Sequence, residues 1–300
     1  MNIRRVGLVG LGMMGHGMAA NLLKKGFELS VKVNRDRSRI ADILAAGGKE
    51  CATSADVARH SDVVLICVAS SPQVEEIIFG RGGILEAARP ELIVVDTSTS
   101  EPGSTQRIRE ALAAKDTTYV DAPLARTPKE AEEGRLNTMV GADAAVLEKI
   151  RPVFAAYCEN IFHVGPPGAG HTLKLVNNFM ALTIAASIAE AFAVAAKAGV
   201  KLDKLFEVVS QGALNSNIFQ MIGGGAVAGD LTRMKFSIVN AAKDLRYYTH
   251  LAESLPVGAF LGAAVQQSYS QAVALGFGDK LLASMIEAQE KANGVRILAK

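Results

Sequence analysis

Two groups of residues have the types and spacing to do chemistry. Lys174 and Asn178 stand four positions apart in an apolar, helix-like stretch, and Gly10, Gly12 and Gly15 form a G-x-G-x-x-G. On a helix, residues four apart project from one face. A partly desolvated lysine has its pKa lowered toward neutrality and can exchange a proton with an alcohol oxygen, which is general acid/base work. The plainer alternative is a lysine on a solvated helix face. The apolar surroundings of Lys174, with His171 and Asn177 nearby, favour the first reading. His171 itself reads only as a polar residue at a helix start.

The glycine triplet suits a different task. Gly10 permits a tight turn, Gly12 lets a phosphate approach the backbone, and Gly15 lets helix and strand pack closely. The backbone N–H groups of Leu11, Met13 and Met14 would then face a dinucleotide pyrophosphate. Taken alone the motif is weak in a chain with 28 glycines, and a plain glycine-rich turn is the alternative. Its position directly after an apolar strand and before a helical pattern favours the dinucleotide reading.

Discrimination between NAD and NADP falls at the end of the second strand. Asn34 stands 19 positions after Gly15, where an acid would hold the adenine ribose hydroxyls, and Arg35 follows it. Arg35 can pair a 2′-phosphate through its planar fork, with Arg37 and Ser38 adding donors. NADP(H) is therefore expected over NAD(H). The other reading gives Asp36 the ribose and leaves the arginines solvated.

The elements that must position these groups follow from the hydrophobic pattern. Strands are expected at Val6–Gly10, Leu29–Val33, Val63–Val68, Leu92–Asp96, Thr118–Ala122, Asn137–Gly141 and Ile161–Val164. Helices are expected at Met14–Lys25, Arg37–Ala46, Gln73–Phe79 and Thr105–Ala114. Such alternation of apolar strands with helices predicts an α/β fold with a parallel, doubly wound sheet, a Rossmann dinucleotide-binding domain over residues 1–164. After Gly165-Pro166-Pro167-Gly168 the strand-like runs stop. Residues 165–300 therefore read as an all-α domain for substrate binding and dimerisation. It opens with a long helix from about His171 to Ala198, with Gly223-Gly224-Gly225 and Gly276-Phe277-Gly278 marking later turns.

Composition narrows the function classes. The 300-residue chain is 49% hydrophobic and 21% charged with a net charge of +2, so neither a nucleic-acid nor a membrane-surface partner is expected. The stretch Phe179–Ala196 is long and apolar, but Glu190 and many alanines point to a helix buried between domains or subunits. Glycines interrupt the apolar N-terminal stretch, which argues against a signal peptide. Cys51, Cys67 and Cys158 form no C-x-x-C pair, so no metal site is expected and a reducing cytoplasm fits. An Ala-rich helical domain needs its apolar faces covered, which points to a homodimer or homotetramer.

Four ordered motifs carry a resemblance that spans nearly the whole chain. They are Gly7–Gly15 with Met18-Ala19-Ala20-Asn21-Leu22; Asp121-Ala122-Pro123 with Gly134 and Leu136; Gly168-Ala169-Gly170 with Lys174-Leu175-Val176-Asn177-Asn178; and Lys243-Asp244-Leu245. Together they resemble the β-hydroxyacid dehydrogenase family, which belongs with the 6-phosphogluconate dehydrogenases in one superfamily. The resemblance implies an oxidoreductase that moves a hydride between the dinucleotide and a small anionic β-hydroxy acid or its aldehyde. It implies Lys174 as the acid/base, Asn178 orienting it or the substrate, Val68 and Ala69 on the adenosine side, and Lys243 closing over the nicotinamide. Ser98 is implied beside nicotinamide and substrate, while Thr99 and Ser100 read equally well as a helix cap.

The substrate loop departs from the family's serine followed by two glycines. Ala125, Arg126 and Thr127 stand there instead, which resembles the sulfolactaldehyde reductase loop. Arg126 is the candidate grip on a carboxylate or sulfonate; the alternative is a surface arginine paired with Glu130 or Glu133. A non-catalytic NADP-binding module and an imine reductase-like enzyme are rival readings, and the retained Lys174 disfavours both. A 6-phosphogluconate dehydrogenase proper would be much longer.

Overall fold

A computed structural model describes residues 3–33 and 37–298. The chain divides into two compact units, Met1–Lys174 and Leu175–Lys300.

The first unit alternates strands and helices in this order: β1 (Arg5–Val9), α1 (Met13–Lys24), β2 (Glu28–Lys32), α2 (Ala41–Ala45), β3 (Lys49–Glu50), α3 (Ser54–Arg59), β4 (Val63–Ile66), α4 (Ser71–Phe79), β5 (Ile93–Asp96), α5 (Pro102–Ala113), β6 (Thr118–Asp121), β7 (Leu124–Ala125), α6 (Pro128–Glu132), β8 (Leu136–Gly141), α7 (Ala144–Phe154) and β9 (Cys158–Gly165). The strands β3-β2-β1-β4-β5-β6 run parallel, with the order reversing between β1 and β4. That reversal is where an open α/β sheet binds its ligand, beyond the strand C-termini. The expected sheet is not parallel throughout: β8 runs antiparallel to β6 and β7, and β9 pairs β8 in parallel. The strands β1, β4 and β5 are almost wholly apolar, because helices cover both sheet faces. Leu8, Leu65 and Val95 lie in the core on one face, and Val64, Ile66 and Val94 in the core on the other.

The second unit is helical. The helix α8 (Ala169–Lys197) begins in the first unit and continues through the second. It is followed by α9 (Leu202–Ser210), α10 (Asn217–Val227), α11 (Ile238–Ser254), α12 (Phe260–Ala272) and α13 (Met285–Asn293). By length and composition α8 could cross a membrane, yet Leu182, Ala185, Ala189 and Phe192 along it belong to the buried core of the helical unit.

Two expectations are corrected here. Gly223, Gly224 and Gly225 make no turn but lie inside α10, where side chains would meet the Phe192 and Phe206 rings and the carbonyl of Asp230. Close packing, not backbone reversal, explains them. The helix expected over Arg37–Ala46 shortens to Ala41–Ala45, and Arg37 instead forms a two-pronged pair with Glu50, at 2.7 and 2.8 Å. Gly276 does act as expected, breaking the chain direction with φ of 92°.

Candidate active site

The glycine loop leaves β1 at its C-terminus. Gly10 has φ of 106°, a conformation L side chains avoid, and a Cβ there would collide with the Cys67 carbonyl. A Cβ on Gly15 would strike the Gly10 carbonyl, whereas one on Gly12 would meet nothing within 4 Å. The first and third glycines thus serve the packing of strand on helix, and the second leaves open space. Leu11 is buried and Met13 is exposed. The first turn of α1 carries no acid and no side-chain cap, so its N–H groups suit a phosphate. These features fit a dinucleotide pyrophosphate. Asn34 and Arg35, the expected readers of its adenosine end, lie outside the described residues.

The neighbouring strand ends form a linked set. The Val68 N–H donates to the Ser98 hydroxyl at 3.1 Å, and the Ser98 N–H donates to Asp96 at 2.9 Å. The Ala69 N–H donates to Gln73 at 3.0 Å. Ser98 is almost fully buried, and its hydroxyl, as acceptor for Val68, keeps its own proton to donate. Ser100 donates to the other Asp96 oxygen at 2.8 Å, so it braces the loop and does not cap α5.

Lys174 sits on a helix whose start is tightly mounted. Asp121, at the end of β6, accepts the N–H of Gly168 at 2.6 Å and that of His171 at 2.8 Å. These are N–H groups that a helix start leaves unpaired, so Asp121 acts as a cap from a distant strand. Gly170 has no room for a side chain: a Cβ would strike the Met139 carbonyl and come within 2.7 Å of the Asp121 carbonyl. The Asp-Ala-Pro and Gly-Ala-Gly motifs therefore meet, and together they seat α8. Lys174 is half-buried, one helical turn before Asn178, a rise of ~6 Å.

In the helical unit, Asn178 donates to the buried Asp244 carboxylate at 2.7 Å. The Lys243 ammonium pairs with the other oxygen of Asp244 at 3.0 Å and lies 5.2 Å from the Tyr247 ring centroid. Asp244, left without a role in the sequence reading, joins two candidate site residues. Its signal was its place in Lys243-Asp244-Leu245, where an acid on a mostly apolar helix face needs a partner.

Ala125 lies in β7 against Asn137. Arg126 adopts φ of 82°, a left-handed conformation suited to glycine. Its Nη1 donates to Glu159 and, at 2.6 Å, to the Arg135 carbonyl. The pairing partner is thus neither Glu130 nor Glu133, the two acids expected from the sequence. Thr127 opens α6 with a capping box, its N–H donating to Glu130 at 3.0 Å and its hydroxyl donating to the same carboxylate. Among the described residues, no three His, Cys, Asp or Glu side chains cluster as metal ligands.

Comparison with known proteins agrees with this layout. Residues 5–165 match the NAD binding domain of 6-phosphogluconate dehydrogenase, and residues 168–288 match the NAD-binding of NADP-dependent 3-hydroxyisobutyrate dehydrogenase. The chain is 32% identical to 2-(hydroxymethyl)glutarate dehydrogenase of Eubacterium barkeri, over 98% of this chain and 97% of that one. It is 31% identical to 3-sulfolactaldehyde reductase of Escherichia coli, over 94% of each chain. A crystal structure of 3-hydroxyisobutyrate dehydrogenase from Salmonella typhimurium superposes with a TM-score of 0.81 at 29% identity, covering 95% of this chain and 99% of that one.

Proposed function

The chain belongs to the β-hydroxyacid dehydrogenase family, nicotinamide-dependent oxidoreductases acting on CH–OH groups, and from that premise we propose that it interconverts a small anionic β-hydroxy acid, or hydroxy-sulfonate, with its aldehyde or keto form. The observation that carries the proposal is the mounting of Lys174 one turn before Asn178 on a helix start braced by Asp121 and Gly170. When bound, the dinucleotide supplies or accepts the hydride. In reduction the Lys174 ammonium gives its proton to the substrate oxygen, and in oxidation the neutral amine takes it back. Asn178, fixed by Asp244, orients the lysine or the substrate oxygen. The Ser98 hydroxyl offers a further donor, and Lys243, steadied by the same Asp244, would help to hold the nicotinamide.

The anionic head falls to Arg126. Among the described residues, Glu159 and Arg135 take up Nη1 of its guanidinium alone, which leaves the rest of the fork for a carboxylate or sulfonate. NADP(H) is the proposed cofactor. Arg37 is already engaged by Glu50, so Arg35 is the cation for a 2′-phosphate. A reducing cytoplasm suits the thiols, since burial pushes the Cys67 thiol up to about 11 and the Cys158 thiol up as well. Large apolar side chains left exposed on the helical unit, Leu214, Phe260 and Leu261 among them, support a homodimer or homotetramer.

The test is a substrate screen following NADPH absorbance. It compares small semialdehydes bearing a carboxylate or a sulfonate with a cyclic imine, in the wild-type protein and in Lys174→Ala. The expected result is turnover of an acidic aldehyde that falls by about 10²–10⁴ in the variant while NADPH still binds. Turnover that survives the loss of Lys174, or that is confined to the imine, would overturn the proposal.

A further inference from the structure

His16 follows the last glycine of the phosphate loop, in the first turns of α1, and its side chain is only 15% exposed. Its Nδ1 lies 2.7 Å from Glu132 and its Nε2 2.6 Å from Asp42. A neutral imidazole has one N–H and one lone pair, so between two carboxylates it would aim a lone pair at an anion. Only the imidazolium donates to both.

The two acids belong to helices that each follow a recognition segment. Asp42 lies in the first turn of α2, entered from residues 34–40, and Glu132 ends α6, entered from Thr127. Two further devices hold α6 on α1. Gly17 leaves no room for a side chain beside Ala131, and Asn21 donates to the carbonyls of Ala131 and Glu132 at 3.0 and 3.1 Å. Neither of these titrates, whereas an imidazole ordinarily does so near neutrality.

We propose that His16 is a positioning residue which, as the imidazolium, braces α2 and α6 against the phosphate-binding helix and so makes dinucleotide affinity depend on pH. Among the described residues, the charged groups facing it are Asp42 from α2 and Glu132 from α6, and both favour the cation. Burial pushes His16 toward the neutral form, but the hydrogen bonds to Glu132 and Asp42 outweigh it and the net direction is upward from 6.5. The same bond holds the Asp42 carboxyl below its usual range. The brace is therefore complete below pH 6.5 and is lost as pH rises through the raised value. An anionic ligand at the glycine loop favours the same charge, and by linkage the charge favours the ligand.

The proposal rests on the family's dinucleotide site, so its test has one readout in the free protein. NMR of ¹³C-labelled histidine, assigned with His16→Gln, should give a His16 midpoint above 6.5; a midpoint at or below 6.5 overturns the charged brace. The second readout is the Kd for NADPH between pH 6 and 9. Wild-type affinity should weaken with pH by about fivefold more than that of His16→Gln. Asp42→Asn and Glu132→Gln, at partly exposed positions that do not threaten folding, should fall between. Equal pH slopes in all four proteins overturn the proposal. Failure of the wild type to bind dinucleotide at any pH counts against the cofactor site itself, and the titration in the free protein tells the two failures apart.

Discussion

The Nε2 of His171 lies 3.6 Å from an Asp96 oxygen, and solvent reaches neither side chain. That is too long for a hydrogen bond, and among the described residues Nε2 has no other partner. The opposite nitrogen, Nδ1, is held 2.6 Å from the Thr105 hydroxyl, which itself donates to the Glu101 carbonyl at 3.1 Å. Asp96 meanwhile accepts from Ser98, Ser100 and, at 3.1 Å, Tyr119. The pair joins the loop bearing Ser98 to the helical turn that precedes Lys174. Replacing His171 by Leu strips Thr105 of its buried donor and should cost about 1–3 kcal/mol of stability. Turnover should fall as well, because Lys174 loses its footing. His171→Gln retains an amide donor and should recover most of both. Urea unfolding and kcat for the three proteins check this; a leucine variant as stable and active as the wild type would count against it.

The three glycines of the phosphate loop should separate stability from binding. Gly12→Ala meets open space and should leave the unfolding free energy within about 0.5 kcal/mol while weakening NADPH. Gly15→Ala forces a methyl group onto the Gly10 carbonyl and should cost at least about 1–3 kcal/mol. Thermal unfolding with and without NADPH distinguishes them: the first variant loses the ligand-induced shift, and the second loses baseline stability too.

Periodicity read well wherever an element was long or fully buried. The strands β1, β4, β5 and β6 and the helix α8 are within a few residues of their expected bounds, because short apolar runs between turns and one long apolar, Ala-rich stretch leave little ambiguity. The elements of the first unit not anticipated, β3, α3, β7, α6 and α7, include two-residue strands and a five-residue helix, and α7 carries Pro152 inside it. The glycine run at 223–225 misled because glycine marks both turns and tight packing, and only the Phe192 and Phe206 rings tell which. That Lys174 and Asn178 share one helix, four positions apart, was readable. Asp121 with His171, and Asn178 with Asp244, are joined across 50 and 66 residues, and no local pattern reports such contacts.

Asp244 should matter through the groups it holds. Asp244→Ala leaves the Asn178 amide and the Lys243 ammonium without their shared acceptor, so both side chains lose their fixed orientation. A fall in kcat on the order of tenfold or more is expected. Asp244→Asn keeps one acceptor oxygen and should be milder. Steady-state kinetics of both variants, beside a stability measurement, decides whether the loss lies in turnover or in folding. A drop confined to stability would remove Asp244 from the site.

Acid should weaken the first unit partly through Asp62. Its carboxylate accepts the N–H groups of Arg4 and Arg5, at 3.2 and 3.0 Å, and pairs with the Arg5 guanidinium. Burial pushes its pKa up, but the bonds from Arg5 and Arg4 outweigh this and hold it below the ordinary 3.8. A depressed carboxyl stabilises above its unfolded value and loses that contribution as pH falls through the folded one. The arginine is half exposed, so the ion pair counts for little beside the backbone donors. Asp62→Asn should therefore lower stability by about 1 kcal/mol at pH 6 and by progressively less as pH falls below 3.8. Denaturant midpoints across that range give the answer.

Arg126 offers a test that separates backbone from charge. Its φ of 82° costs an L residue roughly 1–2 kcal/mol, and glycine relieves that cost. Arg126→Gly therefore keeps the loop conformation while removing the guanidinium, whereas Arg126→Ala keeps the strain as well. The lost pairing with Glu159, a partly exposed acid, subtracts little. The glycine variant should be at least as stable as the alanine variant. If the arginine grips the substrate anion, KM for an acidic aldehyde should rise about tenfold or more in both variants with kcat little changed, the signature of lost ground-state binding. An unchanged KM in the stable glycine variant would assign Arg126 to Glu159 and the Arg135 carbonyl alone. The substrate's anionic head would then have to be held by other donors.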